Sequence, residues 1–236
     1  MSLILTILAA VVVAILLAYA IVKFVPLKLR WLISILLLLA SVFIGYKIYN
    51  GIMEPINFAI KKQVKYAKVI ESLKTIRDAQ VAHYEVTGNY TKDKTGLIQF
   101  IDTAQFALTE ARDTVVKVDR GGGITEEVSR KKIDTIGYEP VLNRFKNKDY
   151  KNMFKVPGVE GKEFELTIGF VEKVAGLQVP VFEAKTDKES ILKGMNPSLI
   201  KQEKEAAASD QIKGEFVSVG SLEEITTGGN WPPSYD

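Results

Sequence analysis

Cysteine is absent from the 236-residue chain, and His83 is its single histidine. The absence of cysteine excludes disulfide bonds, thiolate nucleophiles, cysteine-ligated zinc and iron–sulfur clusters. One histidine cannot build a metal site with several imidazole ligands, and a lone histidine on a helix is usually a residue of the surface or of the core edge. We therefore expect no metal site and no other bound cofactor.

Acidic residues are absent from the first 50 positions, which hold four basic residues, Lys23, Lys28, Arg30 and Lys47. The whole chain has 31 basic and 28 acidic residues, so the other positions carry 31 less 4, or 27, basic residues against all 28 acidic ones. The surplus of positive charge therefore belongs to the N-terminal segment. The rest of the chain has no excess of positive charge for phosphates, and we expect no nucleic-acid partner.

Charge is missing altogether from two long apolar runs, residues 2–22 and 31–46. A helix that crosses the hydrocarbon core of a membrane needs about 20 apolar residues. The second run reaches that length if it extends to Tyr49, with the ammonium group of Lys47 reaching back to the interface. A cleaved signal peptide is the competing interpretation of the first run, but no Lys or Arg precedes it and it is longer than such a peptide requires. Residues 1–50 are therefore predicted to form a two-span transmembrane hairpin.

The charges beside these runs predict an orientation. Lys23, Lys28 and Arg30 fall in the short linker between the runs, and short loops rich in Lys and Arg stay in the cytoplasm. Lysines that follow the second run favour the opposite orientation. We give the linker more weight and predict a multi-pass protein of the bacterial inner membrane, with its soluble part outside the cytoplasm, in the periplasm.

Residues 51–90 are predicted to form a long amphipathic helix that starts at Pro55, after a break at residues 51–54. Its apolar residues recur at steps of three and four, which is the spacing of one buried helix face. They are Ile56, Ala59, Ile60, Val64, Ala67, Ile70, Leu73, Ile76 and Ala79. We expect Ile70 and Leu73 to be buried.

Three lysines, Lys61, Lys65 and Lys68, lie on another face of this helix and close to the membrane in sequence. Such charges attract anionic lipid headgroups, each contributing about 1 kcal/mol near the surface, so membrane lipids are one expected partner. A plain solvated helix face accounts for the same pattern and stays open as the alternative. In both interpretations the side chains of Lys65 and Lys68 are exposed.

Residues 91–225 are predicted to form an α+β domain with an antiparallel sheet, because a run of helix is followed by a run of strands. The predicted helices are residues 95–112 and 197–208. The predicted strands are residues 114–119, 163–172, 177–183 and 214–219. The strand at 163–172 alternates between apolar and polar residues and is followed by a turn at 174–176, so 177–183 is expected to return as its hairpin partner. Pro180 suggests an edge position for that partner. Residues 226–236 are expected to be an irregular C-terminal tail.

No pattern in the soluble part predicts a catalytic site. The glycine-rich stretch at residues 120–123 lacks the Gly-Lys-Ser/Thr ending of a phosphate-binding loop, so we interpret it as a hairpin loop. Paired glutamates are suited to general acid–base chemistry, but here they are more typical of the solvated side of amphipathic strands. These pairs are Glu126 with Glu127, Glu163 with Glu165, and Glu223 with Glu224. We expect a protein that is not an enzyme.

The segment at residues 73–91 resembles the end of the long N-terminal helix of type IV pilins and type II secretion pseudopilins. In those proteins a similar set of residues closes the helix and opens the loop to the sheet. The matching residues here, in order, are Ile76-Arg77, Ala79-Gln80, Tyr84, Gly88 and Tyr90. The resemblance implies an extracytoplasmic α+β domain that works by packing against other subunits, here on a two-span anchor where a pilin has one span.

Together these features predict a non-enzymatic structural or scaffold subunit of a bacterial envelope complex, such as a secretion or pilus-like apparatus. Ala10, Ala14 and Ala18 are four residues apart on one helix face, where small side chains let helices approach closely in lipid. They are expected to pack within the two-span hairpin or against other subunits, and the partner is a second copy or another envelope protein. A ligand-sensing or regulatory domain is the main alternative, and an enzyme with an unrecognised acidic site is the third.

A topology experiment tests the predicted orientation. A reporter that is active only in the periplasm, fused after Asp236, should be active, because residues 50–236 are expected outside the cytoplasm. A reporter active only in the cytoplasm, fused at the same place, is the control and should be silent. The reverse result would place the soluble part inside and remove the support for the pilin comparison.

Overall fold

The computed structural model describes residues 2–24, 26–119, 121, 125–173, 176–208 and 210–235. The chain forms two compact units, Met1–Asn57 and Phe58–Asp236. The second unit combines helices with antiparallel sheets, so the α+β class predicted for the soluble part is confirmed.

The first unit begins with helix α1, Ser2–Phe24, followed by a short 3-10 helix at Leu27–Leu29 and the start of helix α2 at Arg30. Among the described residues, α2 is the one helix long and apolar enough to cross a membrane, and its apolar window has no protein covering it. Within α1 the described apolar segment is Leu8–Ile21, which is shorter than a crossing needs. A membrane anchor in α2 is compatible with these features, and the two-span arrangement stays a prediction.

The predicted antiparallel hairpin of α1 and α2 is not seen. Within the described part of the chain, the two helices make no extended contact. Both are apolar on all sides in this region, so neither has an amphipathic face that water would drive against the other. Packing of small residues in lipid is the force left to bring them together.

Helix α2, Arg30–Thr87, is continuous through Pro55, so the break predicted at residues 51–54 is wrong. Proline removes one backbone N–H and therefore one hydrogen bond, the one that would reach the carbonyl of Gly51. The helix continues because only this one hydrogen bond is lost, and the backbone hydrogen bonds of the 58-residue helix are formed both before and after it.

The core of the second unit is built around the C-terminal half of α2. Val69, Ile70, Leu73 and Ile76 are at most 1% exposed, which confirms the burial expected for Ile70 and Leu73. These side chains belong to one apolar cluster with Leu97 and Ile101 of the next helix, Phe164 of the segment before the sheet, and Phe182 of the sheet. Burying each large side chain contributes about 1.5–3 kcal/mol.

The predicted apolar face is not buried along its whole length. Ile56, Ile60 and Val64 are 46%, 58% and 56% exposed. The core side of α2 is marked instead by Phe58 and Tyr66, which are 9% and 1% exposed. The periodicity identified a helix, but in this upstream part of α2 it did not identify the face that the domain covers.

The end of α2 is fixed by glycine and by a side-chain amide. Gly88 follows the helix with a φ of +75°, which suits the left-handed position after a helix terminus. The Gln80 side chain donates to the carbonyl of Thr91 at 2.5 Å and accepts from its N–H at 3.1 Å. The Tyr90 ring stacks on Tyr84 and lies 4.8 Å from the Phe182 ring of the sheet. These contacts connect the helix end to the strands.

Helix α3 is Lys94–Thr103, and its N-cap Asp93 accepts from the N–H of Thr95. The helix predicted at 95–112 is therefore too long, because residues 105–112 belong to strand β1, Gln105–Asp119. Ala107, Leu108 and Ala111 have good helix propensity. Pairing of this segment with strand β2 prevails over that local preference.

Strands β1 and β2, Thr125–Pro140, form an antiparallel two-stranded sheet, called here the ribbon. The register is regular between the pair Asp119–Thr125 and the pair Thr109–Thr135. A bulge then leaves Ile136 without a partner in β1. The strand predicted at 114–119 is confirmed as part of β1. The loop predicted at 120–123 lies outside the described residues except for Gly121, whose φ is +86°.

A second sheet has the order β3–β4–β5, with β3 at Glu165–Glu172, β4 at Gln178–Asp187 and β5 at Phe216–Gly220. The predicted hairpin of β3 and β4 is confirmed, although residues 174–175 of its turn lie outside the described part. The edge position predicted for the strand containing Pro180 is wrong, because β4 is central. Pro180 is tolerated since β5 pairs only with Glu183–Asp187, so this proline has no neighbouring strand on its second side.

The C-terminal tail is irregular but docked. The N–H of Gly220 donates to Gly228 at 2.9 Å, and the N–H of Asn230 donates to Ser218 at 3.1 Å, so the tail covers the outer edge of β5. Trp231 is 8% exposed in the core cluster. The tail therefore completes this unit.

Two short helices complete the unit: α4 at Lys188–Ile191 and α5 at Pro197–Lys204. Helix α5 is shorter than the predicted 197–208, and Asn196 caps its N-terminus by accepting from the N–H of Ser198 at 2.8 Å.

Replacement of Leu73 with alanine tests the packing of α2. Leu73→Ala should lower the free energy of unfolding by about 2–5 kcal/mol, since it leaves a cavity at a fully buried position. Lys68→Ala and Val64→Ala, at exposed positions of the same helix, are the controls and should be nearly neutral. Urea unfolding of the detergent-solubilised chain measures all three, and a neutral Leu73→Ala would contradict the assigned core face.

Candidate functional site

The three alanines predicted to pack in lipid lie on α1, and each of Ala10, Ala14 and Ala18 is exposed. Their four-residue spacing puts them on one side of the helix. The hairpin partner expected for them does not cover them in this structure.

The three lysines predicted to face lipid headgroups do not act as one group. Lys61 and Lys68 are exposed. Lys65 is half-buried, contrary to prediction, and its ammonium group donates to the carbonyl of Ile191 at 2.7 Å and to that of Lys193 at 3.5 Å. Lys65 therefore connects α2 to the end of α4 and to the residues that follow it. Lys61 and Lys68 remain as candidates for contact with lipid headgroups.

A largely buried polar cluster is formed by four residues, Lys62, Tyr66, Lys188 and Glu203. Glu203 accepts from Lys62 at 2.7 Å and from the Tyr66 hydroxyl at 3.4 Å. The Lys188 ammonium is fully buried, donates to the carbonyls of Glu203 and Ile212 at 2.7 and 2.6 Å, and lies 3.6 Å from the Glu203 carboxylate. Burial lowers the pKa of Lys188, whereas burial and the Glu203 charge raise the pKa of Tyr66.

Perturbed pKa values mark catalytic residues in many enzymes, but this cluster has the geometry of a clamp. Lys188 is 0% exposed and Glu203 is 6% exposed, so a substrate cannot reach the ammonium group. The donors of Lys188 are already used by two carbonyls and one carboxylate. The cluster instead connects α2, α4 and α5.

Asp187, which precedes Lys188, forms a second charged contact. It accepts hydrogen bonds from the Lys162 ammonium and from the N–H of Ser190, the latter at 2.7 Å. Burial by itself raises the pKa of Asp187. The hydrogen bonds from Lys162 and Ser190, together with the positive charge of Lys162, outweigh burial and lower that pKa to about 2. The carboxylate caps α4 and connects it to the loop that contains Lys162.

For one of the three glutamate pairs, the structure gives the surroundings of both carboxylates. Glu163 binds Lys94 at 2.8 Å, and this ammonium lowers the pKa of the Glu163 carboxyl. Glu165 is exposed. Among the residues that the structure describes, no three His, Asp or Glu side chains are grouped so that they could hold a metal ion.

Surface clefts of the size of ligand pockets occur in the described part of the chain. One, of about 640 Å³, lies within the loop at residues 155–163. Another, of about 510 Å³, is lined by five charged residues, and three of them pair with one another, since Lys204 lies 3.2 Å from Glu189 and 3.6 Å from Glu215. Specific ligand pockets hold polar groups placed to orient a ligand, and in the second cleft three of the charged groups bind each other.

The ribbon is the largest exposed feature of the second unit. Each of its strands makes extensive contacts only with the other, within the described residues. Phe106, at the base of the ribbon, is 7% exposed. The guanidinium carbon of Arg144 lies 3.8 Å from the centre of the Phe106 ring, and the same guanidinium binds Glu85 of α2 at 2.9 Å. Beyond this base, large apolar side chains are open to water. They are Leu108, Val115, Ile133, Ile136 and Tyr138, between 44% and 68% exposed.

Comparison of the chain with protein-family models, with curated proteins and with solved structures gave no match.

Neither the clamp nor the full ribbon was predicted from the sequence. Lys62 and Glu203 are 141 positions apart, and no local pattern connects residues at such a distance. The ribbon did leave a signal, because the glycine-rich stretch at 120–123 is flanked on both sides by segments of similar length that contain no proline before Pro140. Two such arms around a glycine-rich loop are typical of a long hairpin.

Truncation of Glu203 tests the clamp. Glu203→Ala should cost about 3–5 kcal/mol of unfolding free energy, because it leaves the buried ammonium of Lys188 without its carboxylate. Glu205→Ala, at an exposed glutamate two positions along, is the matched control and should change stability by less than about 0.5 kcal/mol. Equal effects in urea unfolding would contradict a buried ionic clamp.

Asp187 gives the chain a defined dependence on acid. Its folded pKa of about 2 lies below the ordinary value of 3.8, so its stabilisation is complete above about pH 4 and is lost as the pH falls towards 2. Asp187→Asn keeps the cap but removes the charge. The variant should be less stable than the natural chain by about 1–2 kcal/mol at pH 6, after allowance for solvent screening, and the difference should vanish near pH 2. A difference that is constant between pH 6 and pH 2 in urea unfolding would contradict the assignment.

Proposed function

We propose that this chain is a non-enzymatic, membrane-anchored structural subunit of a bacterial envelope complex, such as a secretion or pilus-like apparatus. The observation that carries the proposal is the ribbon, which exposes apolar side chains and two strand edges that no described strand of its own chain covers. Exposed apolar groups and open strand edges are the usual features of protein-interaction surfaces.

Two other uncovered surfaces support the same proposal. Ile56, Ile60 and Val64 form an exposed apolar row at four-residue spacing on α2. Ala10, Ala14 and Ala18 form an exposed row of small side chains on α1. Rows of this kind suit helix–helix packing between subunits, the first at an aqueous interface and the second in lipid.

The anchor in this proposal consists of two spans, with the linker that contains Lys23, Lys28 and Arg30 in the cytoplasm and the second unit in the periplasm. The apolar window of α2 supports one span directly. The length of α1 and the basic linker support the other span and the orientation.

The resemblance to pilins and pseudopilins supports packing as the mode of action. Gln80 binds both polar groups of Thr91, and the rings of Tyr84 and Tyr90 stack at 4.9 Å. Gln80 and Tyr90, which belong to the residues of that resemblance, thus lie where the helix ends and the chain turns towards the sheet. A ligand-sensing domain, the alternative, would need a pocket whose polar groups are free for a ligand, and the clefts give it less support than the ribbon gives assembly.

The mass of the detergent-extracted chain tests this function. Light scattering corrected for bound detergent should give an oligomer, or the chain should co-purify with other envelope proteins in defined proportion. Ala14→Leu should reduce that mass, because a larger side chain separates helices that pack on small residues. Val12→Leu, on another side of α1, is the control and should leave the mass unchanged. A clean monomer with no partner, unaffected by Ala14→Leu, would overturn the proposed function and favour the sensing domain.

A further inference from the structure

Among the described residues, the outer edge of β1 is a long stretch of strand backbone with no neighbouring strand. Its 15 residues pair with β2 on one side, so about every second N–H and C=O points away from the ribbon. A solitary two-stranded sheet is at best marginally stable in water. The ribbon therefore has both the hydrogen-bonding groups and the energetic reason to accept another strand.

The charges on the ribbon are unevenly arranged between its two faces. Residues opposite each other in an antiparallel pair point to the same face. On one face Asp113 lies opposite Lys131, an attractive pair. On the other face Glu110 lies opposite Asp134, which sets two like charges side by side.

At the next position on that second face, two like charges again lie side by side, and both are positive. Arg112 lies opposite Lys132. An acidic row of Glu110 and Asp134 is therefore followed, two residues along, by a basic row of Arg112 and Lys132. Among the described residues, the ion pairs that relieve these conflicts run along each strand, through Arg112 to Glu110 at 2.7 Å and Lys132 to Asp134 at 3.2 Å.

This arrangement is self-complementary under a twofold axis. From it we propose that the outer edge of β1 pairs, antiparallel, with β1 of a second copy of this chain, in a register centred on Ala111. Glu110 of each copy then lies opposite Arg112 of the other, so one axis creates two attractive pairs. Over residues 107–115 this register places no two like charges opposite each other.

The outer edge of β2 is less suited than that of β1 to pairing with a second copy. The bulge at Ile136 and the proline at position 140 interrupt its ladder. The equivalent register, centred on Ile133, also places Glu127 opposite Glu139 of the other copy. Strand β1 has neither proline nor an unpaired residue, so its edge is the continuous one.

This inference rests on the proposed structural function and adds to it the partner and the register. Because the chain has no cysteine, single cysteines can test the contact without background. Ala111→Cys places the two new thiols on directly opposite residues, with Cα atoms about 4.5 or 5.5 Å apart, which is within the span of about 4.4–6.8 Å that a disulfide bridges. Mild oxidation of the full chain in its native membranes should give a disulfide-linked dimer.

Ile133→Cys is the matched control. Ile133 lies opposite Ala111 in the same ribbon and is 67% exposed, but it belongs to the edge of β2. It should give little dimer under the same conditions. Equal or greater crosslinking at Ile133 would overturn the proposal in favour of the β2 edge or of random collision.

Charge reversal tests the register independently. In the Ala111→Cys background, Glu110→Arg alone or Arg112→Glu alone converts two attractive pairs into repulsive ones, and each should reduce the crosslinked dimer roughly tenfold. Co-expression of the two variants, one with a tag that changes its size, restores opposite charges only between unlike chains. Crosslinked heterodimer should therefore return while both homodimers stay weak.

The outcomes separate this contact from the broader function. Heterodimer rescue together with a weak Ile133→Cys control supports the β1 register, and failure of rescue overturns it. An oligomeric mass by light scattering without the Ala111→Cys disulfide overturns the register but leaves the structural function standing. A monomeric mass without the disulfide overturns both.

Discussion

Burial of one face of α2 is the constraint on which the second unit depends. Val69, Ile70, Leu73 and Ile76 are enclosed almost completely, and they share one apolar cluster with side chains of α3 and of the three-stranded sheet. At about 1.5–3 kcal/mol for each large side chain, this face is the main source of stabilisation in the fold.

Polar side chains on the borders of that face determine which segments dock beside it. Lys62 and Tyr66 bind Glu203 of α5, Lys65 binds the carbonyl of Ile191, and Lys74 binds the carbonyl of Tyr235 at 2.6 Å. The apolar contacts themselves are non-directional, whereas each of these hydrogen bonds requires one arrangement of donor and acceptor. Together the two kinds of contact give the helices and the tail defined positions.

Sequence periodicity predicted what local rules control. The burial of Ile70 and Leu73, the helix end at Gly88 and the hairpin of β3 with β4 follow from spacing and turn chemistry, and the structure agrees with all three. The continuous helix through Pro55 was not predicted, because the cost of one missing hydrogen bond depends on the stability of the helix on either side.

The parts of the fold and of the candidate site that depend on distant partners could not be predicted. Ala107, Leu108 and Ala111 have helix-forming side chains, and only pairing with β2 makes this segment a strand. Likewise Lys65 and Lys68 are three residues apart with the same chemistry, but only Lys65 has carbonyl groups from residues 191 and 193 within reach. A sequence pattern identifies a helix face, and the neighbours along that face decide whether a lysine meets protein, water or lipid.

In the proposed assembly, the order of the ribbon backbone and the pairing of its edge depend on the same free energies. Fixing the backbone of one residue costs about 1–2 kcal/mol, and the 31 residues of β1 and β2 recover little of it by burial, since Phe106 is the one described side chain of the ribbon that the core encloses. Every strand that pairs with an open edge adds hydrogen bonds and covers apolar side chains without requiring a second ordering step. Order in the ribbon and association through its edge should therefore increase together, which is the behaviour expected of an element that stabilises the assembled state more than the single subunit.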